Sequence, residues 1–172
     1  IHKACPDFNP KGSKKELEKL SNQWLALADK IVDEMEDSIA KNVVDLLKQH
    51  YGGENWFSVG VPLTVRKKVV VLATENDASY EQSFHIVDWK EVVSSRNNYS
   101  DIFENVYSLK NYPAKGDKSK DKTLSWFNRL NDIRKKTKHK VGKTVTEKEY
   151  TDLKRIWTRL KENIQLSNDE MI

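Results

Sequence analysis

Apolar residues recur at steps of three and four along most of the chain, the spacing of helices with one buried face. Leu17, Leu20, Trp24, Leu27, Ala28, Ile31, Met35 and Ile39 make one such stripe, and Val43, Val44, Leu46 and Leu47 extend it to Gly52-Gly53. Ser13 and Glu16 ahead of it have the spacing of a capping box, in which each side chain satisfies a free backbone N–H. The segment VGVPLTVRKKVVVLATEN is ambiguous, because VVVL alone suits a strand. Pro62 fits the first turn of a helix, however, and Val65, Val69 and Leu72 keep helical spacing, so a helix is expected. Further helices are expected over Ile86 to Ser94 and over Ser100 to Leu109, with a break at Arg96-Asn97-Asn98. Thr123 is positioned to cap a helix carrying Leu124, Trp126, Phe127, Leu130 and Ile133, ending near Lys140 before Gly142. Thr146 and Glu149 form a second capping box, opening a last helix with Tyr150, Leu153, Ile156, Trp157, Leu160 and Ile164. The pattern predicts an all-α fold, a helical bundle of about six helices.

Pro6, Pro10 and Gly12 mark residues 1–12 as an extended lead-in, leaving 13–172 as one helical domain. NYPAKGDKSKDK, residues 111–122, reads as a loop. The five Trp at 24, 56, 89, 126 and 157 are spaced by 31 to 37 residues. Their flanks share little, so they are expected to be separate core anchors and not the signature of a repeat array.

Composition narrows the classes. A chain of 172 residues suits one domain with a real core. The single Cys5 excludes an internal disulfide framework and suits a reducing, cytoplasmic setting. No run of apolar residues reaches membrane-spanning length, so no membrane partner is expected. The start, IHKACPDFNP, has no apolar stretch of the signal-peptide kind and no initiator Met, which suggests a piece of a longer parent protein.

Charge is local. Residues 129 to 143 contain seven Lys or Arg against Asp132 alone, a net +6 in a chain whose total is +4. A basic patch of this kind is the footprint of a phosphate-backbone partner, although cations also favour a helix C-terminus. Arg129, Lys135, Lys136, Lys138, Lys140 and Lys143 are therefore the candidate nucleic-acid-binding residues.

Metal and nucleotide chemistry find no motif. No GxxxxGK and no HExxH occur, and His2, His50, His85 and His139 are scattered. His50 and His85 read as packing or capping residues. Asp29, Asp33, Glu34, Glu36 and Asp37 lie on the long first helix and read as solvated surface. No metal and no cofactor is expected.

Arg134 stands out. On an ideal wheel it lies about 40° from Leu130 and about 20° from Phe127, on the stripe that faces the core. An arginine there must snorkel, pair, or reach into a cleft. His139 lies about 140° further round, at the helix C-terminus, where the helix dipole favours the protonated ring. A histidine that changes charge near neutral pH suits proton transfer, and an arginine suits charge developing on a phosphoryl group.

LNDIRKKTKH, residues 130–139, resembles the signature of the HEPN superfamily, all-helical domains with an Arg, four to six residues, then a His near the end of one bundle helix. WFSVGVPLTVR, followed by VDWKEVV and YSDIF, is similar to a HEPN branch fused to large prokaryotic proteins. The resemblance covers roughly residues 55–165, with the long first helix as an extension. It implies a metal-independent endoribonuclease, with two domains pairing so that two Arg/His motifs share a cleft. Arg134 would then stabilise the phosphorane and His139 would act as general base or acid, the ribose 2′-OH attacking to leave a cyclic phosphate and a 5′-OH. RNA and a second copy of the chain are the implied partners. Two departures from the family pattern appear: Lys135 stands where many members have a polar residue, often Asn, and Asn131, beside Asp132, holds the supporting position a turn before the Arg. The alternative is a non-catalytic helical dimerisation or nucleic-acid-binding module of a larger defence or nucleic-acid-processing protein.

Overall fold

The computed structural model describes residues 13–109, 119–139 and 144–169, and these are all-α. The lead-in over 1–12 and most of the loop over 111–122 lie outside the described residues.

Helix α1 (Ser13–Tyr51) is the spine of the bundle. It buries Leu25, Ala28, Val32, Met35, Ile39, Val43 and Leu47, one ridge at steps of three and four. The expected stripe is displaced from this ridge at its N-terminal end. Leu20 is exposed, as are the described side chains before it, and Leu27 is exposed on the opposite side of α1 from the buried Leu25 and Ala28. Trp24 is half-buried and packs against Tyr150 at a tilt of 32°, ring centroids 5.1 Å apart. Gly52 ends the helix at φ 85°, a left-handed conformation that glycine adopts without a Cβ clash.

A short α2 (Trp56–Gly60) leads to α3 (Leu63–Asn76), so VVVL is helical. Pro62 stands one place before the first turn, and Val65, Val69 and Ala73 face inward while Val70 and Val71 do not. Helix α4 (Ile86–Ser94) has the expected bounds. His85 precedes it, and the His85 backbone N–H donates to Asp88 at 2.8 Å. Lys68 of α3 reaches both oxygens of that carboxylate at 2.8 Å, tying α3 to α4.

The expected break after α4 is organised around Asn98, which is buried. Its amide donates to the Gly60 carbonyl at 2.7 Å and the Val92 carbonyl at 2.9 Å, and its oxygen accepts from the Tyr51 hydroxyl at 2.9 Å. Instead of one regular helix over 100–109, a π-helical turn (Tyr99–Phe103) precedes a short α5 (Glu104–Tyr107). The Asn98 carbonyl, fixed by that network, accepts from both Ile102 and Phe103, which widens the turn by one residue.

Thr123 is not the cap expected of it. It belongs to a one-turn α6 (Lys120–Thr123), is buried, and bonds the Tyr99 hydroxyl at 3.1 Å. Helix α7 (Trp126–Lys138) starts three residues later and ends just before His139. Helix α8 (Glu147–Asp169) opens with the predicted capping box. Glu149 accepts from the Thr146 backbone N–H at 3.1 Å, and the Thr146 hydroxyl accepts from the Glu149 N–H at 3.2 Å. Helices α7 and α8 both pack along α1. Trp56, Trp89, Trp126 and Trp157 are buried in a continuous core, as anchors rather than repeats. None of the described helices is long and apolar enough to cross a membrane.

Candidate nucleic-acid interface

The basic run of residues 129–139 lies on α7 and just past its end. Trp126, Phe127, Leu130, Ile133 and Thr137 form the buried face of this helix. That face fixes where every cation of the run must point. Arg134 sits on the flank of the stripe, 28% exposed, and its Nε donates to Glu36 Oε1 of α1 at 2.7 Å. Pairing is thus how an arginine is accommodated on a core-facing stripe. One turn on, Lys138 bridges Asp29, at 2.9 Å, and Asp33 of the same helix. The register is antiparallel: Arg134 then Lys138 on α7 meet Glu36 then Asp33 and Asp29 on α1.

The other flank of α7 faces α8. Lys136 Nζ lies 2.7 Å from Glu149, the same carboxylate that completes the capping box. Arg129 approaches Glu149 at 3.5 Å and Asp152 at 3.6 Å. Four of the five described Lys and Arg side chains of the run are therefore in ion pairs with α1 or α8. Lys135 alone of these is exposed with no ion pair among the described residues. Lys140 and Lys143 lie outside the described residues.

Two protonation equilibria carry the mark of this arrangement. For Lys138, burial acts to lower the pKa, but the hydrogen bonds and charges of Asp33 and Asp29 outweigh it and raise it. For Glu149, burial acts to raise the pKa, but the Lys136 hydrogen bond, the Thr146 N–H and the charges of Lys136 and Arg129 lower it.

His139 is exposed just past the last residue of α7, its backbone N–H donating to the Lys135 carbonyl at 3.3 Å. Within one copy of the chain Arg134 is drawn towards α1, and no hydrogen bond joins it to His139 among the described residues. Asn131 is half-buried and Asp132 exposed, and neither bonds Arg134 there.

The residues that sequence reasoning missed are the acidic partners. Asp29, Asp33 and Glu36, read as solvated surface, are the counter-face of α7. A signal for this existed, since their spacing of four and three puts all three on one side of a helix. Arg134 and Lys138 are likewise four apart. Which stripes face each other depends on packing, which spacing alone does not give. Among the described residues no group of three or more His, Cys, Asp or Glu is placed to hold a metal ion. Compared with known protein families, curated proteins and solved structures, the chain matches none.

Proposed function

We propose that this chain is a non-catalytic, HEPN-like helical module of a larger protein, in which the RKKTKH run is an internal clasp. The observation that carries this reading is the pairing of Arg134 with Glu36 and of Lys138 with Asp29 and Asp33. A phosphate docking on Arg134 would either displace the Glu36 carboxylate or sit beside it. A strand following the lysines would run along an acidic stripe of α1. Like charges brought together in this way oppose binding. Lys135, at the place where many HEPN members carry a polar residue, points the same way.

The test is incubation with structured RNA in EDTA, followed by mapping of any product ends. Intact RNA is the expected result. Cleavage leaving cyclic-phosphate ends, and lost in both Arg134→Ala and His139→Ala, overturns the proposal in favour of a ribonuclease.

That second reading has one observation in its favour: Arg134, in the last turns of α7, and His139, just past its end, both reach solvent. In a homodimer, two such helix ends would make one cleft. Arg134, released from Glu36, would stabilise the pentacoordinate phosphate, and His139 would take the 2′-OH proton or protonate the leaving 5′-oxygen. A monomer by sedimentation at 100 µM would remove this composite site.

A further inference from the structure

Helix α3 is apolar on two sides, and only one of them is covered. Val65, Val69 and Ala73 face the core, while Leu63, Val70 and Val71 are 57%, 39% and 53% exposed. A helix that is apolar all round is ordinarily buried all round. Of the nine large apolar side chains exposed among the described residues, six lie in one segment of the chain: Val59, Leu63, Val70, Val71, Tyr80 and Val87. Exposed apolar residues gathered in this way, rather than scattered singly, mark interaction surfaces. Helix α3 runs along the edge of the bundle, with α4 and the turn at Glu81–Ser83 as its main neighbours, so its outer side is open. Two charges frame that side. Lys67, Val71 and Glu75 follow one another at steps of four, in one row along the helix. Lys67 and Glu75 are exposed, and neither forms an ion pair or side-chain hydrogen bond among the described residues. The charges beside them are already engaged: Lys68 pairs with Asp88, and Glu91 accepts from the Thr64 hydroxyl.

We infer that the outer side of α3 packs against α3 of a second copy of this chain, antiparallel, about a two-fold axis beside Val71. The charge pattern selects a second copy over an unrelated partner. In a two-fold contact, residue i of one copy meets residue j of the other, and j meets i. Positions 67 and 75 each lie four residues, about 6 Å along the helix, from Val71. With the axis beside Val71, Lys67 of each copy therefore faces Glu75 of the other. Two ion pairs then bracket a contact between the two Val71 side chains. The row satisfies its own charges when turned end for end, whereas a parallel pairing would set Lys against Lys and Glu against Glu. Rows at steps of four run alongside each other where helices cross at about −50°, the commonest packing class. Val70 and Leu63 lie next to the row and leave water with it. This contact differs from the meeting of α7 ends that a composite cleft needs, and it does not rest on the clasp.

The experiment is sedimentation equilibrium of the full chain up to about 100 µM, with charge reversals on α3. The wild type should dimerise in this range. Lys67→Glu and Glu75→Lys should each raise the dissociation constant by about tenfold or more, because two attractions become two repulsions. The chain carrying both changes should dimerise like the wild type, since each pair is only reversed. An equimolar mixture of the two single variants should form the heterodimer. Val70→Ser/Val71→Ser should also dissociate the dimer, by removing its apolar centre. All four side chains are exposed, so the fold should survive every change, which circular dichroism checks. A wild-type monomer at about 100 µM overturns the inference and leaves this face to a different chain. A dimer that tolerates either single reversal overturns it too, because the copies then meet elsewhere, the α7 ends included. So does a double reversal that fails to restore the dimer. The RNA-cleavage test is separate: a nuclease result would sink the clasp reading and leave the outcome of the charge reversals unchanged.

Discussion

If Arg134 and Glu36 form a structural clasp, their contributions to stability must be coupled. The informative perturbations are Arg134→Met, which keeps an apolar stem against the core, and Glu36→Gln, which keeps the shape. Opposite charges near 4 Å attract by about 4 kcal/mol at an effective dielectric of about 20. The pair lies at 2.7 Å with side-chain exposures of 28% and 23%, so both groups keep part of their hydration. Desolvation and the ordering of a long arginine offset most of the attraction. Exposed pairs give roughly 0.2–1 kcal/mol, and this one, partly covered and charge-assisted, should sit near the top of that range at about 1 kcal/mol. Each single variant should then lose about 1 kcal/mol, and the double variant about 1 rather than 2. For a chain this size that corresponds to a fall in Tm of about 2–4 °C per variant. Urea unfolding of the four proteins measures the cycle, and the coupling should shrink at high salt. Additivity within about 0.3 kcal/mol would mean that the two side chains meet without holding anything, and the clasp would fail.

Three further outcomes follow from the same structure. Glu149→Gln should cost stability at pH 7 by about 1–2 kcal/mol. Because the folded pKa of Glu149 is lowered from 4.5, its contribution is present above that value and lost as pH falls through the folded pKa, so melts at pH 7 and at successively lower pH should show the deficit shrinking. Tyr107 is fully buried and its hydroxyl donates to Asn42 at 2.8 Å, while the Asn42 amide nitrogen has no partner. Tyr107→Phe should therefore cost about 1–3 kcal/mol, and adding Asn42→Leu should recover most of it; a double variant worse than the sum refutes this. Gly60→Ala would place its Cβ 2.8 Å from Leu47 and from Tyr51, whose hydroxyl anchors Asn98. A loss of about 1–3 kcal/mol in thermal unfolding is expected, and an unchanged Tm would show that the Tyr51 ring gives way freely.

Sequence alone determined the elements whose causes are local. The long first helix and its glycine stop, the bounds of Ile86–Ser94, and the Thr146–Glu149 box each depend on residues a few places apart. So did the anomaly of Arg134, because a helical wheel is enough to find a cation on an apolar stripe. Only the tertiary structure decided what lay across from these features. It selected the ridge through Leu25, Val32 and Val43 over one through Leu20 and Leu27, since burial depends on which face of α1 the neighbouring helices cover. It turned Thr123 from a cap into a buried hydroxyl and widened the turn after Asn98, because both answer to Tyr99, Gly60 and Val92, which sequence distance does not connect. Above all, it matched Arg134 and Lys138 of α7 to carboxylates about a hundred residues away on α1. Counting charges along a chain locates a basic run, but whether that run meets solvent or an acidic helix is settled only when the helices pack.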